Sequence, residues 1–248
     1  MNVFTRGLSQ TFSPKNVIRE LITLRFFDYI MLLVMLVAQV AAYIATDAFD
    51  LISNLSLVVG IFTILNLILM NRGRLTNYLW GTIGTIFWWI IALQSHLIGD
   101  IFSQTFYLIM QFVGIYFWQK NLDDFEGGSG EVAPRKITAK IASLAILAFV
   151  VIYGIVLATS HGLHGQQIFL DATLLPLGIL SMILMTYGYR SQWLGWILID
   201  SINVIIWFNN WNSGIHGGSS ALGMFVLQIT MLLNCIYGTY LWFSKKPE

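Results

Sequence analysis

The sequence predicts an all-α polytopic membrane protein with eight transmembrane helices. Three observations carry that prediction: an apolar composition, eight hydrophobic runs of spanning length, and basic residues confined to alternate connections. Of 248 residues, 57% are hydrophobic and 10% charged, with a mean hydropathy of +0.74. Soluble domains do not have this makeup. The formal net charge of +1 excludes a basic surface for nucleic acid and an acidic one for cationic partners. Residues 1–25 hold Arg6, Pro14, Lys15, Arg19 and Arg25 without a short apolar core and cleavage site, so no cleaved signal peptide is expected. The single cysteine, Cys235, supports neither an internal disulfide nor a cysteine metal site.

About 20 apolar residues cross roughly 30 Å of hydrocarbon as a helix. Segments 27–46, 50–70, 77–97, 101–119, 140–160, 168–187, 192–211 and 220–243 qualify. The first and fifth are plainly apolar, whereas the others carry amide and aromatic side chains that belong inside a bundle. Lys and Arg stay on the cytoplasmic side of short loops. Alternate connections hold Arg6, Lys15, Arg19 and Arg25; Arg72 and Arg74; Lys120, Arg135, Lys136 and Lys140; Arg190; and Lys245 and Lys246, which accounts for all 13 basic residues. The opposite connections hold Asp47, Asp50, His96, Asp100, His161, His164, Asp171 and His216. Both termini are therefore expected in the cytoplasm: residues 1–26 as an N-terminal segment, 120–139 as a flexible loop containing Gly127, Gly128, Ser129, Gly130 and Pro134, and 244–248 as a tail.

The two halves are alike. Gln104, Gly114, Tyr116 and Trp118 recur as Gln228, Gly238, Tyr240 and Trp242 at an offset of 124, and Arg74, Trp80, Ile83, Ile86 and Ile90 recur as Arg190, Trp196, Ile199, Ile202 and Ile206 at 116. This pattern predicts two parallel three-helix repeats, 50–119 and 168–243, related by an axis along the membrane normal. Segment 140–160 links them, and 27–46 is an extra helix.

The seventh segment carries the chemistry. Trp193, Trp196, Asp200, Asn203 and Trp207 fall within an arc of roughly 80° at 100° per residue. Asp200 is about 10 Å inside the cytoplasmic helix end, with no basic partner in any segment. An intramembrane carboxylate usually faces a cavity or pathway, where it would attract a cationic ligand held between indoles. The alternative is a protonated carboxyl bonded to Asn203 or a neighbouring helix. The fourth segment presents a matching stripe of Gln104, Tyr107, Gln111, Gly114 and Trp118, and the eighth presents Gln228, Cys235, Gly238 and Trp242 with Asn234 nearby. Trp118, Trp211 and Trp242, near helix ends, are expected as interfacial belt residues. Of Trp88 and Trp89, one is expected to point inward. His161 and His164 lack a Cys or carboxylate to complete a metal set, and the glycine pairs lack phosphate-binding spacing. No enzyme site, cofactor or metal is expected.

Three stretches resemble the bacterial PnuC family of nicotinamide riboside transporters: GRLTNYLWGTIG (73–84), GDIFSQTFYLIMQFVGIYFWQKN (99–121) and WLGWILID (193–200), the last holding a W-x-x-W motif. Asp171 and Ala172 match a short Asp-Ala element of that family. The chain departs from the family at Gln192 and Asp200, where Asn is common. The resemblance implies a three-plus-one-plus-three helix core similar to a SWEET transporter, in the bacterial inner membrane. It implies facilitated diffusion of nicotinamide riboside, feeding NAD synthesis, with a cytosolic kinase as metabolic partner. Thiamine or another vitamin precursor is the alternative cargo, and a non-transporting receptor or scaffold the alternative of another class. Trp193, Trp196 and Trp207 are expected to stack on the ring and Asp200 to balance its charge. Asn203, Gln111, Tyr107 and Asn234 would bond polar groups of the ligand, with Gln104, Trp88 and Gln228 completing the candidate set. The sequence leaves homo-oligomerisation open.

Overall fold

The structure is a computed structural model that describes residues 2–45, 51–94, 98–124, 130–160, 168–213 and 218–245. Its described residues form ten helices and no strand: α1 (Val3–Thr11), α2 (Pro14–Ile22), α3 (Phe26–Ala45), α4 (Leu51–Arg72), α5 (Asn77–Gln94), α6 (Ile98–Asp124), α7 (Ala139–Ser160), α8 (Ile168–Thr186), α9 (Gln192–Ser213) and α10 (Gly218–Ser244). Helices α3 to α10 occupy the eight hydrophobic segments. Among the described residues, five stretches are long and apolar enough to cross a membrane by length and composition: Phe26–Ala45, Ser53–Arg72, Ile101–Asp124, Ala139–Thr159 and Met224–Ser244. Helix α8 is apolar as well over its described stretch Ala172–Thr186. Helices α5 and α9 fall outside this set because threonine, amide and indole side chains dilute their hydropathy.

Helices α4, α5, α6, α8, α9 and α10 contact one another in that order, and α10 returns to α4. The result is a closed ring of six. Helix α7 lies outside it against α8, and α3 lies outside against α10 and α4. Most of α7 is apolar surface, with Leu144, Ile146, Leu147, Val150, Val151 and Ile155 exposed.

Helix α3 is less plain than its hydropathy implies. Asp28 accepts from the Arg25 backbone N–H at 2.8 Å, satisfying one of the orphan donors of a helix start. The same carboxylate accepts from Arg72 Nε at 2.7 Å and from the Tyr237 hydroxyl at 2.7 Å, while Arg72 Nη2 donates to Tyr237 at 2.9 Å. This triangle ties α3 to α4 and α10. The Asp28 side chain is fully buried and that of Arg72 is 5% exposed, so each charge depends on the other for compensation.

The ends of α4 and α8 share one geometry. Gly73 and Gly188 both adopt φ +72°, the left-handed conformation that glycine takes without a Cβ clash. Gly73 N–H bonds to Met70 O and Arg74 N–H to Leu69 O; Gly188 N–H bonds to Met185 O and Tyr189 N–H to Leu184 O. Both are Schellman ends. They lie 115 positions apart, one fewer than the 116 of the sequence matches. A one-residue shift turns a helix by about 100°, and accordingly Trp80 stacks on Phe62 while Trp196 faces the interior.

The glycine-rich centre of the connection between the halves, residues 125–129, lies outside the described residues, and the parts that flank it are built against the bundle. Helix α6 continues to Asp124, and residues 130–138 form a strap across both Schellman ends. Val132 N–H bonds to Gly73 O at 2.9 Å, Arg135 N–H to Gly188 O at 2.8 Å, and Arg190 N–H to Arg135 O at 3.1 Å. Glu131 pairs with Arg74 at 3.4 Å and Lys245 at 2.9 Å. Burial pushes the Lys245 ammonium below its usual range, and Glu131 opposes that shift.

The N-terminal segment folds into two short helices against the bundle. Asn2 caps α1 by accepting from Thr5 N–H at 2.8 Å, Gly7 packs against Ile115 and Gln119 of α6, and Arg6 pairs with Asp123 at 2.9 Å. Pro14 opens α2, where its missing N–H costs nothing. Glu20 of α2 accepts from Thr76 N–H at 3.0 Å and its hydroxyl at 2.5 Å.

Arg72→Ala leaves Asp28 as an uncompensated buried carboxylate and is expected to cost roughly 3–5 kcal/mol, read as a lower thermal midpoint. Adding Asp28→Ala is expected to recover part of that loss. A double variant no more stable than Arg72→Ala alone would show that the two charges do not interact. Burial raises the Glu20 carboxyl above its ordinary 4.5 against the opposing pull of its Thr76 bonds. Its contribution to stability is therefore full below the unfolded value and is lost as pH rises through the folded one. Glu20→Gln, neutral and still able to accept from Thr76, is expected to flatten the decline in thermal midpoint above pH 4.5; equal slopes for the two proteins would contradict this.

Candidate functional site

All six ring helices line one cavity of about 540 Å³. Helix α9 places Trp196, Asp200 and Asn203 on it, as residues three to four apart share a helix face. From α6 come Gln104, Tyr107 and Gln111, and from α5 Thr85 and Trp88. Helix α4 adds Thr63 and Asn66, α8 adds Met182 and Met185, and α10 adds Cys235. Among the described residues of this lining, Asp200 is the only Asp, Glu, Lys or Arg.

Glycines make the polar side chains fit. A Cβ at Gly178 of α8 would collide with the Tyr107 hydroxyl, and one at Gly81 would meet the Gln111 amide at 2.8 Å and Asn66 Nδ2 at 2.7 Å. Asn66 Nδ2 is held by donating to Asn77 O at 2.8 Å. The Cys235 thiol lies beside the Asp200 side chain, and Asp200 is only 4% exposed. Three lining groups retain a buried polar atom with no protein partner: Asp200 Oδ2, Gln111 Oε1 and Trp196 Nε1. Buried polar groups are normally paired. A carboxylate oxygen, an amide oxygen and an indole N–H therefore offer two acceptors and a donor to an occupant.

An aromatic layer separates the cavity from the basic end of the bundle. Tyr78, Trp118, Trp193 and Trp242 are all buried. Tyr78 meets Trp118 at 5.0 Å and 78°, Trp118 meets Trp242 at 5.9 Å, and Trp193 meets Trp242 at 6.2 Å. Trp118 Nε1 donates to Met185 O at 2.9 Å, and Trp242 Nε1 to Met70 O at 3.2 Å and Asn71 O at 3.1 Å. Each indole thus caps the end of a helix in the other half of the chain. The Tyr78 ring sits over Gly114 and the Trp193 ring over Gly238. Trp118 and Trp242 are consequently core residues and not belt residues: a carbonyl inside the bundle, rather than water at an interface, takes each indole N–H.

Of the candidates named from sequence, Trp196, Asp200, Asn203, Gln111, Tyr107, Gln104 and Trp88 line the cavity. Trp193 lies in the aromatic layer, Asn234 accepts from Asn71 at 2.7 Å, and Gln228 and Trp207 lie outside the lining. Sequence reasoning did not name Thr63, Asn66, Thr85, Ser103, Met182 or Met185. Asn66 carried a usable signal, an amide within an otherwise apolar segment, whereas the methionines carried none. Asp47, Asp50, His96, His161, His164 and His216 lie outside the described residues. No group of three metal-ligating side chains occurs among the described residues.

Comparison with known proteins agrees with this architecture. The nicotinamide riboside transporter PnuC of Haemophilus influenzae is 26% identical over 217 residues, 87% of this chain and 89% of the relative. That of Neisseria mucosa is 26% identical over 218 residues, 87% and 80%. The crystal structure of the vitamin B3 transporter PnuC superposes with a TM-score of 0.69 at 25% identity, covering 88% of this chain and 91% of that one. The sequence model of the nicotinamide mononucleotide transporter family matches residues 53–244. With a cavity carrying a carboxyl and several amides inside a closed ring of helices and a family match across most of its length, this chain belongs to the nicotinamide mononucleotide transporter family, a family of membrane transporters and not of enzymes.

Proposed function

We propose that this protein is a uniporter that lets nicotinamide riboside equilibrate across the bacterial inner membrane, where cytosolic phosphorylation of the ligand would draw uptake inward to NAD synthesis. The observation that carries this reading is the cavity, which brings together one carboxylate, two indoles and several amides. Its volume lies in the roughly 300–1,000 Å³ range of small-molecule sites. A pyridinium ring carries a positive charge on a flat apolar body. Trp196 and Trp88 supply aromatic faces for such a ring, Asp200 supplies the opposing charge, and Gln111, Asn203, Gln104 and Tyr107 supply bonds for ribose hydroxyls and the carboxamide. Relatives named as nicotinamide riboside transporters support the cargo. Trp193, Trp207, Asn234 and Gln228 act in this reading as supporting positions around the site.

In the same proposal all eight long helices span the membrane, because α5, α8 and α9 complete a ring whose other members have the apolar length to cross alone. At 18 residues, α5 is about 27 Å long. Both termini and the strap then lie in the cytoplasm with the basic residues. Helices α4–α6 and α8–α10 are the two parallel repeats, and rocking one against the other would expose the cavity alternately. The paired Schellman ends and exchanged tryptophan caps support that division.

Proteoliposomes containing the protein are expected to accumulate labelled nicotinamide riboside faster than empty ones, with unlabelled thiamine as the competing cargo. If neither compound crosses faster than in empty liposomes, the transport reading fails. Asp200→Ala is expected to weaken nicotinamide riboside binding by about tenfold or more, since a bond to a charged group is worth roughly 1.5–3 kcal/mol. Affinity unchanged in calorimetry would remove Asp200 from the site. Cys235 is the sole cysteine and lines the cavity, so saturating nicotinamide riboside is expected to slow its modification by a small methanethiosulfonate several-fold. Equal rates with and without ligand would place the binding site elsewhere.

A further inference from the structure

Helix α2 has two faces with different chemistry. Glu20 points inward to Thr76 at the start of α5. On the outside, Ile18 and Ile22 are 59% and 69% exposed, and the apolar surface continues four residues on in Phe26 and Phe27, 80% and 50% exposed. Lys15, Arg19 and Arg25 are exposed beside this stripe. At 100° per residue Ile18, Ile22, Lys15 and Arg19 occupy one arc of roughly 100°. Contiguous exposed side chains of this size mark a contact surface rather than a wetted one. The occupant follows from continuity and charge. Phe26 and Phe27 begin α3, whose exposed Ile30, Leu33, Val34 and Val37 belong to a helix apolar enough to cross a membrane. The α2 stripe thus extends the lipid-facing surface of α3 around the basic end of the bundle. An apolar stripe flanked by Lys and Arg is the pattern of helices that lie in the membrane interface.

We propose that α2 and the start of α3 form an interfacial anchor that binds anionic phospholipid, with Ile18, Ile22 and Phe26 among the upper acyl chains and Lys15, Arg19 and Arg25 on the phosphates. The anchor needs only that the chain is embedded in a bilayer and does not depend on the cargo. Through Glu20 and the packing of α1 on α6, it holds the start of α5 and the end of α6 to the head-group layer.

The test uses full-length protein carrying Ile18→Cys labelled with an environment-sensitive nitrobenzoxadiazole probe, with the unsubstituted chain as the control for labelling of buried Cys235. In vesicles of phosphatidylcholine with phosphatidylglycerol, the probe is expected to emit blue-shifted light and to be quenched by phospholipids spin-labelled high on the acyl chain. A probe quenched by aqueous iodide but not by these lipids would overturn the anchor, including in favour of a protein partner. Each basic residue near an anionic surface is worth about a fivefold preference. Lys15→Glu combined with Arg19→Glu is therefore expected to abolish the rise in thermal midpoint that phosphatidylglycerol gives over pure phosphatidylcholine. A rise of the same size in this variant would overturn the head-group assignment.

Discussion

The last carbonyls of α4 and α8 have no partner within their own helices, and helix ends buried in a bundle cannot turn to water. Glycine closes each end with a Schellman turn, and an indole from the opposite half of the chain adds a further donor there: Trp242 to Met70 O and Asn71 O of α4, Trp118 to Met185 O of α8. Those indoles fix the axial position of α10 and α6, because an N–H aimed at a carbonyl tolerates little sliding. Tyr78 and Trp193 then pack against Trp118 and Trp242 over Gly114 and Gly238. The closed floor of the cavity is a consequence of satisfying two helix ends.

Above that floor the requirements of lipid and ligand conflict. A helix facing lipid gains from uninterrupted apolar surface, whereas a cavity among the helices lined by amides, hydroxyls and a carboxyl carries groups that are each costly if unpaired. The chain resolves this by division of labour. Helix α7 is almost wholly apolar and packs chiefly on α8, while α5 and α9 lose hydropathy to the side chains they turn inward. The unpaired atoms of Asp200, Gln111 and Trp196 are the residue of that compromise, since the surrounding helices leave them for an occupant.

Outside the ring, the Asp28–Arg72–Tyr237 triangle and the strap over Gly73 and Gly188 use charge and backbone pairing where apolar packing alone would leave helices free to rotate. A buried pair of this kind is modest evidence for net stability but good evidence for register. It gives α3 one orientation, with Met35 and Gln39 inward as well as Asp28. The apolar content of α3 would by itself accept several orientations.

Composition and periodicity were enough to place every long helix within a few residues, because twenty-residue apolar runs have no other stable conformation in hydrocarbon. They were also enough to put Trp196, Asp200 and Asn203 on one face, since helical spacing is fixed by local geometry. What faces that stripe was not legible, because it depends on which helices become neighbours. Hence Trp193 lies in the floor although it shares the stripe, Asn234 is taken up by Asn71, and Thr63, Asn66 and Thr85 entered the lining unannounced. Trp118 and Trp242 were read from their position near helix ends, which is where belt residues sit, yet their partners are carbonyls 67 and 172 residues away in sequence. Hydropathy thus determined that this chain is a bundle of membrane helices. Only the packing of those helices decided which polar groups are satisfied by protein and which are left to bind.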